Sequence, residues 1–207
     1  MRFGKGFGGI ATRIGLKSAA LALACCAGAS GSALAAGGTV AGKVEATPAK
    51  YLEETVVYLK GGVGSHAPAP ASMDQKGMKF IPHVLAVTKG DTVQFLNHDG
   101  VAHNVYSPDN EGYNLGSFKP EESRSYTFKS AGVYTQLCSI HPEMLGFIFV
   151  GENQYAAAVD RAGNFTIKDV PPGTYKIAVW NSHLKAAEKT VTVTAGATSE
   201  VSFALQR

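Results

Sequence analysis

The residues best suited to chemistry lie in one short run, Cys138-Ser139-Ile140-His141-Pro142-Glu143-Met144. A thiolate, an imidazole and a thioether within seven residues can converge on one ion from a single loop. Soft sulfur donors favour copper, above all Cu(I), while imidazole serves both oxidation states. Zinc sites also use cysteine and histidine, but a methionine as third donor argues against zinc. Pro142 fixes one φ angle and stiffens so tight a loop. The triplet alone leaves open a plainer reading, in which its members pack in a core and Cys138 is an inert thiol.

A fourth residue raises the case. Val93-Gln94-Phe95-Leu96-Asn97 reads as a strand, and after a short turn His103-Asn104-Val105 opens the next one. Type 1 copper sites set two histidines and one cysteine in a plane with a weak axial methionine. His103 is well placed to complete that set from a neighbouring strand, giving His103, Cys138, His141 and Met144 as the candidate metal ligands. Asn104 could hydrogen-bond near the cysteine loop and hold it in register.

The elements that must position these residues read as strands and turns. Apolar and polar residues alternate in Thr190-Val191-Thr192-Val193-Thr194, in Val201-Ser202-Phe203-Ala204-Leu205 and in Phe165-Thr166-Ile167-Lys168. Turn signals separate such runs at Lys89-Gly90-Asp91, Lys119-Pro120, Ala131-Gly132, Arg161-Ala162-Gly163-Asn164 and Pro171-Pro172-Gly173. Beyond the N-terminal stretch no segment carries the pattern of an amphipathic helix of ten residues or more. The expectation is an all-β protein of sandwiches. Ala67-Pro68-Ala69-Pro70-Ala71 reads as a linker, because it offers neither a strand pattern nor a helix face.

The N-terminus has the pattern of a secretory signal peptide over residues 1–35. Arg2, Lys5, Arg13 and Lys17 precede the apolar run Ser18–Ala29, and Ala33-Leu34-Ala35 invites cleavage before Ala36. A retained anchor and a lipid on Cys25 are the alternatives; the shortness of the run and the Ala22 before it speak against them. The full chain has 19 basic and 16 acidic residues, so losing those four cations leaves the mature protein near −1. No lysine-arginine cluster remains, which disfavours nucleic acid or an anionic membrane surface as partner. Cys25 and Cys26 also leave, and a lone Cys138 in an oxidising compartment has no partner for an internal disulfide.

Taken together, Met78-Lys79-Phe80-Ile81-Pro82, Val87-Thr88-Lys89-Gly90-Asp91-Thr92-Val93, His103-Asn104-Val105, Tyr126-Thr127-Phe128 and Ala131-Gly132-Val133-Tyr134 resemble the cupredoxin (blue copper) family. With Cys138-x-x-His141-Pro142-x-Met144 the stretch is most similar to the amicyanin branch, which has the same two-residue gap between its second histidine and its methionine. The resemblance implies a Greek-key β-sandwich, one type 1 copper ion, and single-electron shuttling in the periplasm by a protein that is not an enzyme. It further implies protein redox partners, a quinoprotein dehydrogenase as donor and a cytochrome c as acceptor, and a monomer with no membrane attachment after cleavage. Ser107–Lys119, with Tyr113, Leu115 and Phe118, departs from the family pattern, which leaves the docking surface open.

The flanking segments resemble a different family. Asp160-Arg161-Ala162-Gly163-Asn164-Phe165-Thr166-Ile167 and Val170-Pro171-Pro172-Gly173-Thr174-Tyr175 are similar to the carboxypeptidase regulatory-like (transthyretin-like) sandwich. Gly38–Val44 and Thr55–Leu59 look like the start of the same domain, far back in the chain. The organisation expected is therefore a smaller, discontinuous sandwich from 37–66 and 153–207, with a copper-binding sandwich at 67–152 between its parts. The alternative is that Gly38–Leu59 extends the copper domain. No catalytic constellation occurs in the flanking parts.

The other chemistry-bearing residues have plainer roles. His98 could compete with His103 for a metal but lies outside the His-Asn-Val pattern. His83 reads as a packed or surface residue, His66 and His183 as solvated, Met73 and Met78 as core filling, and Trp180 as core or interface. Against the electron carrier stand copper storage or delivery without redox turnover, a copper oxidase or nitrite reductase, and a metal-free docking module. Storage or delivery would need an exchangeable site, and an oxidase or nitrite reductase would need paired histidines beyond those present.

Overall fold

The computed structural model describes residues 36–207 together with Met1, Gly8 and Gly9. The expected signal run Ser18–Ala29 and its cleavage site lie outside the described residues. Two strands come first, β1 (Gly38–Ala46) and β2 (Thr55–Leu59), joined by a 3-10 turn over Ala49–Glu54. Next are β3 (Pro70–Gln75), β4 (Phe80–Ile81), β5 (Val84–Thr88), β6 (Thr92–Asn97) and β7 (His103–Ser107). They are followed by β8 (Tyr113–Phe118), β9 (Ser123–Thr127), β10 (Gly132–Leu137) and β11 (Leu145–Gly151). The last six are β12 (Ala156–Ala158), β13 (Asn164–Val170), β14 (Gly173–Asn181), β15 (Lys189–Val193), β16 (Thr198–Glu200) and β17 (Phe203–Leu205).

These strands make four sheets, and the protein is all-β. The central block pairs a sheet in the order β5-β11-β10-β7-β8 with one in the order β4-β3-β6-β9. The chain crosses between them at β4–β5, β5–β6, β6–β7, β8–β9 and β9–β10, the path of a Greek key. Their shared core holds Met73, Phe80, Phe95, Phe118, Phe128 and Tyr134, all at most 1 % exposed. Strand β6 shows the sequence logic: Val93 and Phe95 are fully buried while Gln94 between them is exposed. Each large apolar side chain so buried contributes about 1.5–3 kcal/mol.

The flanking segments share a second core. Strand β1 pairs antiparallel with β13 and parallel with β16 and β17, while β2 lies between β12 and β14, with β15 on the far side of β14. Val40, Val57, Leu59, Phe165, Ile177 and Phe203 meet in one cluster, so residues before β3 and after β11 bury one another.

A third cluster joins the two sandwiches. Val84, Phe147 and Phe149 of the central block meet Val56, with Tyr58, Ala86, Val133 and Trp180 packed around them. This explains the apolar run of β11, which is buried from Gly146 to Gly151. Ile148 and Val150 face the central core while Phe147 and Phe149 face the seam. A strand covered on both faces reads as a continuous apolar run, without alternation.

Two expectations are corrected here. The segment read as a linker already enters the sheet at Pro70, where β3 pairs parallel with β6 (Pro70 with Thr92, Ala71 with Val93). Proline is tolerated at the first residue of a strand, so composition hid the pairing. His66 is also tied down, with Nε2 2.6 Å from Asp91 Oδ1 and Nδ1 3.2 Å from Gln154 Oε1. The Asp91 carboxylate also accepts the Ala69 and Thr88 N–H groups at 2.8 and 2.7 Å. It thereby clips the entry of the central block to its β5–β6 turn and, through His66, to the exit beyond β11.

Candidate metal centre

The sequence candidates come from one strand, β7, and from the loop joining β10 to β11. His103 is the first residue of β7 and is fully buried. Cys138 follows β10 directly and is 3 % exposed. His141 sits half-buried on the loop, and Met144 is buried at its end, immediately before β11, in the same core cluster as Cys138. The donor atoms of His103, Cys138 and His141 all lie within 4.8 Å of one another. The two Nδ1 atoms are 3.0 Å apart, and Cys138 Sγ is 3.9 Å from His141 Nδ1.

Neighbouring groups fix each donor. Asn104 donates its backbone N–H to Cys138 Sγ at 3.3 Å, and its Oδ1 accepts the Ser139 N–H at 3.3 Å. Its Nδ2 donates to Asn114 Oδ1 at 2.9 Å. Asn104 thus bridges the cysteine loop and β8, within the segment that departs from the family pattern. That segment lies along β7, with Phe118 opposite His103 and Ser117 opposite Asn104.

His103 Nε2 lies 3.1 Å from Asp99 Oδ2. Asp99 accepts the Met78 N–H at 2.8 Å, and this bond, then the one from His103, holds its carboxyl below the ordinary carboxylate range against the opposing effect of burial. An ionised carboxylate only accepts, so Nε2 carries the proton and Nδ1 turns a lone pair toward Cys138 and His141. Asn97, 1 % exposed, donates to the Val101 and Phe118 carbonyls and accepts the Asp99 N–H at 3.1 Å. The turn that carries His103 is therefore locked at both ends.

The sequence reading singled out neither Asp99 nor Asn97 for this task. An acid four residues before the candidate ligand was the available signal, obscured by His98 immediately before it. His98 turns instead to Asp74, with Nδ1 3.0 Å from Oδ2, and lies outside the donor cluster. His83 and His183 sit on either side of Glu54, at 3.6 and 3.7 Å. Met73 fills the central core, and Trp180 packs in the seam.

A buried thiolate facing two imidazoles in a two-sheet β-sandwich defines a metal-binding protein of the cupredoxin kind, and comparison with known proteins agrees. Residues 69–151 match the family of copper binding proteins, plastocyanin/azurin family. A second match, to polysaccharide lyase family 4, domain II, covers residues 139–201. Amicyanin of Paracoccus denitrificans is 35 % identical over 82 residues, 38 % of this chain and 63 % of its own length. A chloroplastic plastocyanin of Fritillaria agrestis is 34 % identical over 123 residues, 54 % of this chain and 64 % of its own. The chain thus spans just under two thirds of these two relatives. A solved purple cupredoxin from Nitrosopumilus maritimus aligns with TM-score 0.37 and 28 % identity, over 39 % of this chain and 99 % of that one. The central block thus matches a copper-binding cupredoxin domain, amicyanin is among the chain's relatives, and the metal is copper.

The residues present suit that ion. First-row metals sit about 2.0–2.1 Å from imidazole nitrogen and about 2.3 Å from thiolate sulfur. Two such nitrogens can be up to roughly 4 Å apart and a nitrogen–sulfur pair roughly 4.3 Å apart. The separations of 3.0 and 3.9 Å fall inside both limits. Sulfur and imidazole donors together match the preferences of both copper oxidation states.

Proposed function

We propose that this chain is an exported blue copper protein that carries single electrons, with His103, Cys138, His141 and Met144 as ligands of one type 1 copper. The observation that carries the reading is the convergence of a buried, hydrogen-bonded Cys138 with two imidazoles within 4.8 Å. When bound, copper supplies a one-electron Cu(II)/Cu(I) couple. The chain's own residues keep the donors in one arrangement. Asp99 orients His103, Asn104 braces the Cys138 loop, and Met144 closes it against the core. Little then rearranges when an electron arrives or leaves.

His141 is the half-exposed member of the set and serves as the electron's entry and exit. Val101, Ile140 and Leu145 beside the ligands are exposed at 46, 45 and 40 %, a surface suited to brief contact with another protein. Partners in line with the amicyanin resemblance are a quinoprotein dehydrogenase as donor and a cytochrome c as acceptor. The protein works as a carrier and not as an enzyme, monomeric, in the periplasm. Residues 37–66 and 153–207 form one discontinuous domain around the copper block at 67–152, a reading supported by the pairing of β1 and β2 with strands that follow β11.

The test is the visible and EPR spectrum of the mature protein with one equivalent of Cu(II). An intense blue thiolate band with narrow copper hyperfine splitting, bleached reversibly by reductant, is expected. A colourless protein that retains Cu(I) would favour copper storage or delivery instead.

A further inference from the structure

The candidate metal cluster found among the described residues lies outside the second sandwich, yet that sandwich touches the strand that ends the copper loop. Only Leu145 and Gly146 separate Met144 from Phe147, whose ring points away from the central core into the seam. There it meets Trp180 of β14 edge-on at 5.4 Å between ring centres, and His83 at 5.7 Å. Trp180 is paired in its own sheet with Val56 of β2, so it is backed by a rigid strand pair. The Phe147 N–H donates to the His83 carbonyl at 2.9 Å. At Gly146 a side chain would come within 2.9 Å of Phe80 Cβ, and Phe80 packs in the cluster that holds Met144. The start of β11 is therefore pressed from both faces, by Phe80 on the copper side and by Trp180 on the other.

A second observation concerns the loop flank. A groove of about 830 Å³ is lined by Glu143 on the copper loop, by Leu145 at the start of β11 and by Lys50, Glu53, Glu54 and Arg161 of the second sandwich. The second sandwich thus borders the residues on both sides of Met144.

We infer that the second sandwich is a positioning device for Met144, in which Trp180 clamps Phe147 and so sets how closely the thioether approaches the His103–Cys138–His141 cluster. The inference rests on the ligand assignment proposed above. Packed interiors transmit small displacements because they have no slack to absorb them. Shortening Trp180 leaves a cavity in the seam, into which the start of β11 can shift.

The experiment compares Trp180→Ala and Trp180→Phe with the unsubstituted protein, first without metal and then with Cu(II). In the metal-free Trp180→Ala chain, the Met144 methyl resonance shifts, and amide exchange over 141–149 quickens on the order of tenfold. The Met73 resonance stays put. With Cu(II), the ratio of the two main thiolate bands and the reduction potential both move, and Trp180→Phe restores most of each. Should Trp180→Ala fail to fold, Phe147→Leu loosens the same contact from the copper side and is read in the same way. A folded variant with unchanged Met144 resonance, exchange and band ratio would overturn the inference. Absence of any thiolate band in the unsubstituted protein would instead strike the ligand assignment, a separable result.

Discussion

The two sandwiches bury different things. In the central block Gln75, Asp91, Asn97, His103, Asn104, Ser107 and Gln136 all place polar side chains in the interior. In the flanking sandwich the buried polar residues are Thr55 and, at its junction with the central block, Asn153. A buried polar group costs stability unless it is bonded, and an unpaired one costs about 1–3 kcal/mol. The central block meets that cost with networks around Asn97 and Asn104 that hold the donor atoms, leaving Gln75 Oε1 as an unpartnered buried atom among the described residues. The core of the flanking sandwich away from the seam is almost wholly apolar. Polar burial therefore marks the region that has to be pre-organised, and apolar burial the one that only has to be firm.

Four substitutions or titrations test this contrast. The largest effect is expected from Cys138→Ser, which abolishes the blue band while circular dichroism shows both sandwiches folded. A retained thiolate band would remove Cys138 from the ligand set. Next, Ile177→Ala in the flanking core should cost about 2–5 kcal/mol of stability in chemical denaturation. Since Ile177 packs away from the seam, the copper spectrum of the folded fraction should not change. If the spectrum changes as much as the stability, the division of labour fails.

Asp99→Asn keeps the shape of the turn but lets His103 adopt the wrong tautomer. Copper affinity should fall about 10–100-fold, read by competition with a chelator. An unchanged affinity would show that the backbone alone orients the ring.

The smallest effect concerns the His66–Asp91 clip. The hydrogen bond to Asp91 is the main cause that raises His66 above its ordinary value. Burial pushes Asp91 up, but the Ala69 N–H, His66 and Thr88 N–H outweigh it and hold the carboxyl below its usual range. A raised histidine value stabilises the fold fully below the unfolded value of about 6.5 and loses that contribution as pH rises through the folded value. A lowered carboxylate value stabilises above the unfolded value and is lost as pH falls through the folded one. The clip is thus firmest in mildly acidic solution. His66→Phe should flatten the decline in melting temperature above neutral pH, and an unaltered slope would assign that decline elsewhere.

The sequence by itself carried the all-β class, the strand alternation of β13, β15 and β17, and the candidate donors at 103, 138, 141 and 144. It could do so because strand alternation and metal preference are properties of residue type and near spacing, which a linear chain displays directly. Tertiary structure decided what depends on distant partners. That His66 is clipped and not solvated rests on Asp91, 25 positions along the chain. That Pro70 begins a strand rests on the parallel register with Thr92. The tautomer of His103 depends on a turn closed by Asn97 and Asp99, and the apolar run of β11 on a second sheet that covers its other face. Composition records what a residue prefers, but only the fold determines which neighbour meets that preference.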